Sequence, residues 1–227
     1  MNVQLVITTM NRPAELVKAV EAALLSDLPL AGITVIDNSP DNYAQGLVGD
    51  TAFVITLPHA AGLGPCLNLA FALYDDYLIC QNDDVVVHTS TLRALVDAAD
   101  GQPENSLFYG NHDDESMFSL FLLRKQAFLE VGGFDPSIWP IYYDDIDFLR
   151  RFTLLGYSPV TVASAVYGHV KNATINAFDA PRRELHDRQF ARNEEYYRLK
   201  WGGLKFKETF VTPFNGGKPV VPPLIKE

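Results

Sequence analysis

The sequence predicts an α/β domain: a mostly parallel β-sheet with helices packed on both of its faces. Three observations carry that expectation. Short β-branched runs alternate with amphipathic stretches of helical period along most of the chain. Apolar residues make up 48% of the 227, enough to bury a sizeable core and to exclude wholesale disorder. No internal repeat and no low-complexity segment interrupts the alternation.

Taken in order, Val3–Thr9 reads as a buried strand. Arg12 and Pro13 open a helix, since Pro suits a first-turn position, and Leu16, Val17, Val20, Ala23 and Leu24 form one apolar stripe. Ile33–Asp37 and Phe53–Leu57 read as strands, Gly64–Leu73 as a helix and Tyr77–Cys80 as the next strand. Thr89 or Ser90 caps a helix carrying Leu92, Leu95, Val96 and Ala99. Leu107–Tyr109 and Phe118–Leu123 are further strands, and Val160–Val166 is another apolar run. Regularity weakens from about Asn172. Arg182–Lys200 is expected to be helical. The tail from Pro213, with four prolines and two glycines in fifteen residues, is expected to be extended.

Composition narrows the function classes. The two cysteines, Cys66 and Cys80, sit among apolar residues and suggest buried thiols rather than a disulfide framework or a CxxC metal site. The formal charge of −10 is uneven: residues 1–170 hold 7 Lys and Arg against 21 Asp and Glu, whereas residues 171–207 hold 9 against 5. An acidic body argues against broad adhesion to nucleic acid or anionic lipid. The basic segment reads as a solvated helix face or a local handle for an anionic partner. No apolar stretch approaches the roughly 18 residues of a membrane helix, and the start carries no basic leader. The expectation is a cytoplasmic protein with no stable membrane insertion.

In open parallel sheets, ligands bind beyond the carboxyl ends of the strands, where strand order reverses. Polar residues at strand ends are therefore the candidates. The first strand ends in Thr8, Thr9, Met10, Asn11 and Arg12, and the second in Asp37, Asn38 and Ser39. An Asp there can accept from a ribose hydroxyl or a base imide, although turn chemistry also accounts for the second group. The third strand runs into His59-Ala60-Ala61-Gly62-Leu63-Gly64, then a helix with Asn68 in its second turn. Glycines there let backbone amides approach a ligand. Neither GxGxxG nor a GKS/T loop is present, so those cofactor classes lose support.

Asn82-Asp83-Asp84 directly follows the apolar Tyr77–Cys80. Adjacent carboxylates at a buried strand end repel each other and are costly to desolvate, and a divalent cation neutralises them, the rival reading being an Asx-type turn before Val85–His88. Oxygen ligands suit Mg2+ or Mn2+. Downstream, Gly132-Gly133-Phe134-Asp135 precedes Tyr142-Tyr143-Asp144-Asp145-Ile146-Asp147. Three acids in four residues exceed what capping a helix requires. Asp147 falls four residues before Arg151 and is expected to make a solvated i,i+4 pair with it. Asp145 shares the face of Phe148, Leu149 and Phe152, where a partly desolvated carboxylate suits a general base. His169, after the Val160–Val166 run, reads either as a hydrogen-bonded structural residue or as a further metal ligand beside Asp84.

Together these motifs resemble a family 2 inverting glycosyltransferase of the GT-A fold. The resemblance runs over roughly the first 175 residues, through VITTMNRP, VIDNS, HAAGLG with Asn68, QNDDV, GGFDPSIWPIYYDDIDFLRR and GHV. It implies a single Rossmann-like GT-A domain over 1–175, with a helical and extended tail, 176–227, on the acceptor side. It implies that Thr9, Asn11, Arg12, Asp37, Asn68, Asn82 and Asp83 border the nucleotide sugar. Asp84 and His169 would hold Mn2+ or Mg2+, and Asp145 or its neighbour Asp144 would be the base. The first place of the DxD motif is Asn82, and the acidic pair is Asp-Asp where Glu-Asp is usual. The donor would be UDP-, GDP- or dTDP-linked, and the acceptor a saccharide, a glycolipid precursor or a modified DNA base, with Arg182, Arg183, Arg188, Arg192 and Arg198 meeting phosphate in the last case. Sugar nucleotidyl transfer is the first alternative, but it wants a Gly-rich basic loop where Thr8–Pro13 has no glycine. A non-catalytic nucleotide- or glycan-binding module is the second, and it would not need Asp145.

Overall fold

A computed structural model describes residues 3–57, 60–74, 77–100, 107–112, 117–169 and 180–223, together with residues 102 and 225. The elements follow the expected alternation: β1 (Gln4–Thr9), α1 (Pro13–Leu24), β2 (Gly32–Asp37), α2 (Ala44–Val48), β3 (Phe53–Thr56), α3 (Leu63–Leu73), β4 (Tyr77–Asn82), β5 (Val85–Val87), α4 (Thr91–Ala99), β6 (Leu107–Asn111), β7 (Leu120–Arg124), α5 (Lys125–Val131), α6 (Asp144–Leu154), β8 (Pro159–His169) and α7 (Ala180–Trp201). The short α2, β5 and α5 are additions to the sequence reading.

The sheet runs β3-β2-β1-β4-β7-β6-β8-β5. β1 pairs in parallel with both β2 and β4, and β2 with β3; β6 and β8 are also parallel. β7 runs antiparallel to β4 and β6, and β5 antiparallel to β8. The chain thus steps from β1 first toward β2 and then back to β4. Strand order reverses at the carboxyl end of β1, where Thr9 registers with Asp37 and Thr8 with Asn82.

Period-two alternation loads both faces of the sheet. Leu5, Ile7 and Val35 pack with Leu16 and Val20 of α1 and with Leu92 and Leu95 of α4. Val6, Ile36 and Cys80 face Leu67 and Phe71 of α3, Phe128 of α5 and Phe148 of α6. Phe71 stacks on Phe128 at 4.1 Å and Phe134 on Phe148 at 4.6 Å. Apart from these layers, Ile138, Tyr143, Tyr196, Tyr197 and Trp201 form a third cluster, which docks α7 onto the start of α6. At α4 the expected side-chain cap is replaced: Ser90 makes no capping bond, and Thr91 Oγ1 accepts from His88 N at 3.0 Å instead.

Candidate active site

The ends of β1, β4 and β8 bring five predicted residues into one charged cluster. Thr9 Oγ1 donates to Asp83 Oδ2 at 2.7 Å, and Arg12 Nη1 donates to Asp84 Oδ2 at 2.8 Å while lying 3.7 Å from Asp83 Oδ1. His169 Nε2 stands 3.3 Å from the other Asp84 oxygen, Oδ1. The pairing is topological: β5 turns back immediately after Asp84, so that Val85 registers with His169. Tyr43, absent from the sequence reading, completes the cluster. Its hydroxyl accepts from Arg12 N at 2.7 Å and meets Thr9 Oγ1 at 2.6 Å. A tyrosine after a polar turn carries no sequence signal of that role.

Electrostatics separate the two aspartates. Burial pushes the Asp83 carboxyl up to about 7, against the pull of Thr9 and Arg12. Burial also works against Asp84, but His169 and Arg12 outweigh it and hold that carboxyl below its ordinary range. Part of the charge that a cation was expected to offset is therefore already offset by Arg12. Asp84 Oδ1 is buried and faces His169 Nε2 at 3.3 Å. A buried carboxylate oxygen beside a ring nitrogen is a chemically sound position for a hard divalent cation, which both groups can ligate.

The nucleoside-side residues are arranged less directly than expected. Asp37 is fully buried, and its two oxygens accept from Ser39 N at 3.0 Å and Ala44 N at 2.9 Å. It therefore shapes the loop after β2. Asn11, in the left-handed region at φ 57, donates its amide to Ser39 Oγ at 2.9 Å. Asn38 Oδ1 accepts from Ala61 N at 2.6 Å, which ties this loop to the turn before α3. Asn82 lies at the end of β4, half-buried. Asn68 stands apart: its amide donates to Phe134 O at 2.9 Å and accepts from Phe134 N at 2.8 Å. It clamps the Gly132-Gly133 turn rather than facing the cluster. His59 lies outside the described residues.

The turn before α3 also reaches the second acidic group. Leu63 N donates to Pro140 O at 3.0 Å, and a Cβ on Gly62, at φ 91, would meet Pro140 O at 2.7 Å. Only glycine permits that approach. From Pro140 the chain enters α6 through Tyr142 and Tyr143, both at φ 70. Two consecutive non-glycine residues in that region cost of order 1–3 kcal/mol each and persist only where neighbours over-determine them. The neighbours come from α7. Asn193 Nδ2 donates to Ile141 O at 3.0 Å and to Tyr142 O at 3.3 Å, and Tyr143 Oη donates to Glu194 at 2.6 Å.

On α6 the three acids differ from the expectation in one respect. Asp147 is not solvated but fully buried. It does bond Arg151 at 2.9 Å, and it also accepts from Trp201 Nε1 at 2.9 Å and lies 2.7 Å from Lys200 Nζ. The helix-face reading fails because α7 covers that face. Asp144 is buried, with Oδ2 lacking a donor among the described residues, whereas Asp145 is half-buried. Burial raises both carboxyls; the Asp145 charge adds to this at Asp144, and the Ile146 amide and Lys205 draw Asp145 partly back.

The basic segment is likewise not one solvated face. Arg182, Arg183 and Arg188 are exposed, but Arg192 is buried against Ser137 O and Pro222 O, and Arg198 pairs with Glu195. Two of the five arginines assigned to nucleic-acid phosphate are thereby committed within the chain.

With this geometry in place, comparison with known proteins is informative. The model of glycosyl transferase family 2 matches residues 4–166, more than half of the chain. A galactofuranosyl glycosyltransferase of Leishmania donovani is 28% identical over 134 residues, which is 50% of this chain and 30% of that protein. Among solved structures, a mannosyltransferase from Pyrobaculum calidifontis in complex with GDP-Man and Mn2+ superposes with a TM-score of 0.65 at 16% identity, over 83% of this chain and 62% of that one. GalNAc-T7 with UDP, GalNAc and Mn2+ gives 0.68 at 15% identity, over 88% of this chain and 48% of that one. This chain thus spans about a third of the curated relative and about half to two thirds of these two structures. The likenesses at this identity show the GT-A fold, and the family match settles membership: the chain belongs to glycosyl transferase family 2.

Proposed function

We propose that this member of family 2 transfers a sugar from a nucleotide-sugar donor to an acceptor hydroxyl, with inversion at the anomeric carbon. One observation carries the reading: the buried Asp84 Oδ1 lies 3.3 Å from His169 Nε2, beside the point where strand order reverses. The similar structures named above hold Mn2+ with a nucleotide or nucleotide sugar, which supports a divalent ion in the reaction.

Asp84 and His169 would hold Mn2+ or Mg2+. Such an ion supplies positive charge against the donor diphosphate. The chain's own residues do the rest. Arg12 fixes Asp84 through its other oxygen, and Thr9 and Asp83 hold Arg12 in turn. The loop of Asp37, Asn38 and Ser39, with Asn11, borders the nucleoside, and Asn82 lies toward the phosphates. Asp145 is the base: half-buried, it is accessible to an acceptor, and its raised pKa favours taking the hydroxyl proton. Asp144, buried behind it, is the second candidate. A single displacement follows, with no protein nucleophile, so configuration inverts. Residues from 176 onward supply the acceptor side, where a saccharide or glycolipid precursor fits better than duplex DNA once Arg192 and Arg198 are committed.

Calorimetry of UDP, GDP and dTDP with Mn2+ and with EDTA tests the donor half. One nucleotide should bind in a metal-dependent manner, and Asp84→Asn should abolish that dependence. Equal binding in EDTA, unchanged by the substitution, contradicts the metal site.

A further inference from the structure

Beyond the family match, the chain closes a small loop that faces solvent with the wrong residues for solvent. α7 ends at Trp201, whose carbonyl accepts from both Thr209 N at 3.1 Å and Phe210 N at 3.0 Å, while Thr209 Oγ1 donates to Gly202 O at 3.0 Å. This pins the neck. Gly202 and Gly203 are obligatory there: a Cβ on Gly203 would lie 2.1 Å from Lys207 O, and one on Gly202 2.4 Å from Thr209 Oγ1. The tip is Leu204-Lys205-Phe206-Lys207, closed by Lys207 N donating to Leu204 O at 2.8 Å. Phe206 is 87% exposed and sits in the left-handed region at φ 66, with Lys205 Nζ 5.0 Å from its ring. Leu204, Lys205 and Lys207 are exposed as well.

The built neck thus holds an aromatic ring outward, on a residue in the left-handed region, with little of it covered by the described residues. Its flanking charges give the partner's sign. Residues 1–170 carry a balance of −14 (7 against 21), so most of the body is repelled by an anionic surface, and this loop presents two lysines beside its apolar tip. An exposed aromatic and a leucine between lysines match a lipid–water boundary, where rings enter at headgroup depth and ammonium groups meet phosphate. The loop also leans over α6: Arg150 donates to Phe210 O at 3.0 Å, and the Lys205 charge is felt at Asp145.

We propose that the Gly202–Phe210 loop docks the chain reversibly on an anionic lipid surface, with the start of α6 at Asp145 turned toward that surface. The docking stands by itself. The consequence that the acceptor hydroxyl is presented at the surface rests on the function proposed above.

Sedimentation of the full chain with sucrose-loaded vesicles tests the docking without turnover, so its failure is separate from failure of the transferase reading. Binding is expected to phosphatidylcholine vesicles containing 30% phosphatidylglycerol and not to phosphatidylcholine alone, and to weaken as salt rises. Phe206→Ser, and separately Lys205→Glu with Lys207→Glu, should each lower the bound fraction by about tenfold at unchanged Tm, because these side chains are exposed. A chain that stays in the supernatant with both vesicles, or variants that bind like the parent, overturns the proposal. If Phe206→Ser instead raises KM for a soluble saccharide acceptor with no vesicle binding, the loop is a sugar platform and the lipid reading is wrong.

Discussion

Asp144 and Asp145 begin α6, and Asp147 lies in the same turn, yet the two neighbourhoods are opposites. Asp147 receives Arg151, Lys200 and the Trp201 indole. Lys200 also reaches Asp135 at 2.6 Å, and it outweighs the burial that works against that carboxyl, holding it below its ordinary range. Asp144 and Asp145 receive no such cation at contact distance among the described residues; burial raises both, and the Asp145 charge raises Asp144 further. An acid whose counter-charge is built in fastens the fold, and an acid denied one keeps its appetite for a proton. The cluster at β4 shows the contrast within one residue, since Asp84 has the fixed Arg12 guanidinium on one oxygen and only the His169 ring on the other.

The contrast can be broken by substitution. The largest effect on stability is expected at Asp147. Asp147→Asn leaves Lys200 and Arg151 buried with less counter-charge, and breaking such a pair costs about 3–5 kcal/mol. Urea unfolding should show the loss, while the remaining folded enzyme keeps its rate. Unchanged stability would mean that the α6–α7 network is incidental.

At Asp84 the expected effect falls on ligand binding. Asp84→Asn should lower the metal-dependent part of nucleotide affinity by at least ~10–100-fold, the loss typical of even an outer partner of a metal site. Titration in Mn2+ reads it directly, and a metal-dependent affinity equal to the parent's refutes the assignment.

The smallest effect is at Asp144, with the opposite sign. Its folded pKa is raised, so ionisation is penalised in the folded state; the penalty begins above the ordinary value of 3.8, grows with pH and is complete above about 7. Asp144→Asn should therefore raise Tm by about 2–4 °C at pH 8 and by clearly less at pH 5. Removing the like charge should also shift the acid limb of kcat/KM to lower pH. A gain that is the same at both pH values points to packing, not charge.

Much of this was legible in the sequence, for physical reasons. The strands and α1, α3 and α4 follow from alternation, because both sheet faces are buried. The strand-end residues Thr9, Arg12, Asp83 and Asp84 fall together because β1 and β4 are parallel neighbours at the reversal, and His169 joins them through the β5–β8 pairing. Asp147 was misplaced because helix-face reasoning assumes a bare helix, and the partner that buries it is 54 residues away. That partner, α7, was itself hard to read: its buried face mixes Gln189, Arg192, Asn193 and Lys200 with Tyr196, Tyr197 and Trp201, so no apolar period marks it. Asn68 and Asp37 were read as ligand contacts from residue type and position. Their hydrogen bonds to Phe134, Ser39 and Ala44 depend on loop geometry that spacing does not encode.

The most direct test of the division between fastening and reactive acids is the rate of sugar transfer by Asp145→Asn beside Asp147→Asn, each normalised to folded protein, with the donor selected by calorimetry. Asp145→Asn should lose about 10²–10⁴-fold in kcat, the usual contribution of a general base, with donor affinity intact, while Asp147→Asn turns over like the parent. If Asp145→Asn retains its rate and Asp144→Asn loses it, the base is one residue earlier. Full turnover in both, or equal loss in Asp147→Asn, contradicts the assignment of chemistry to the unneutralised pair.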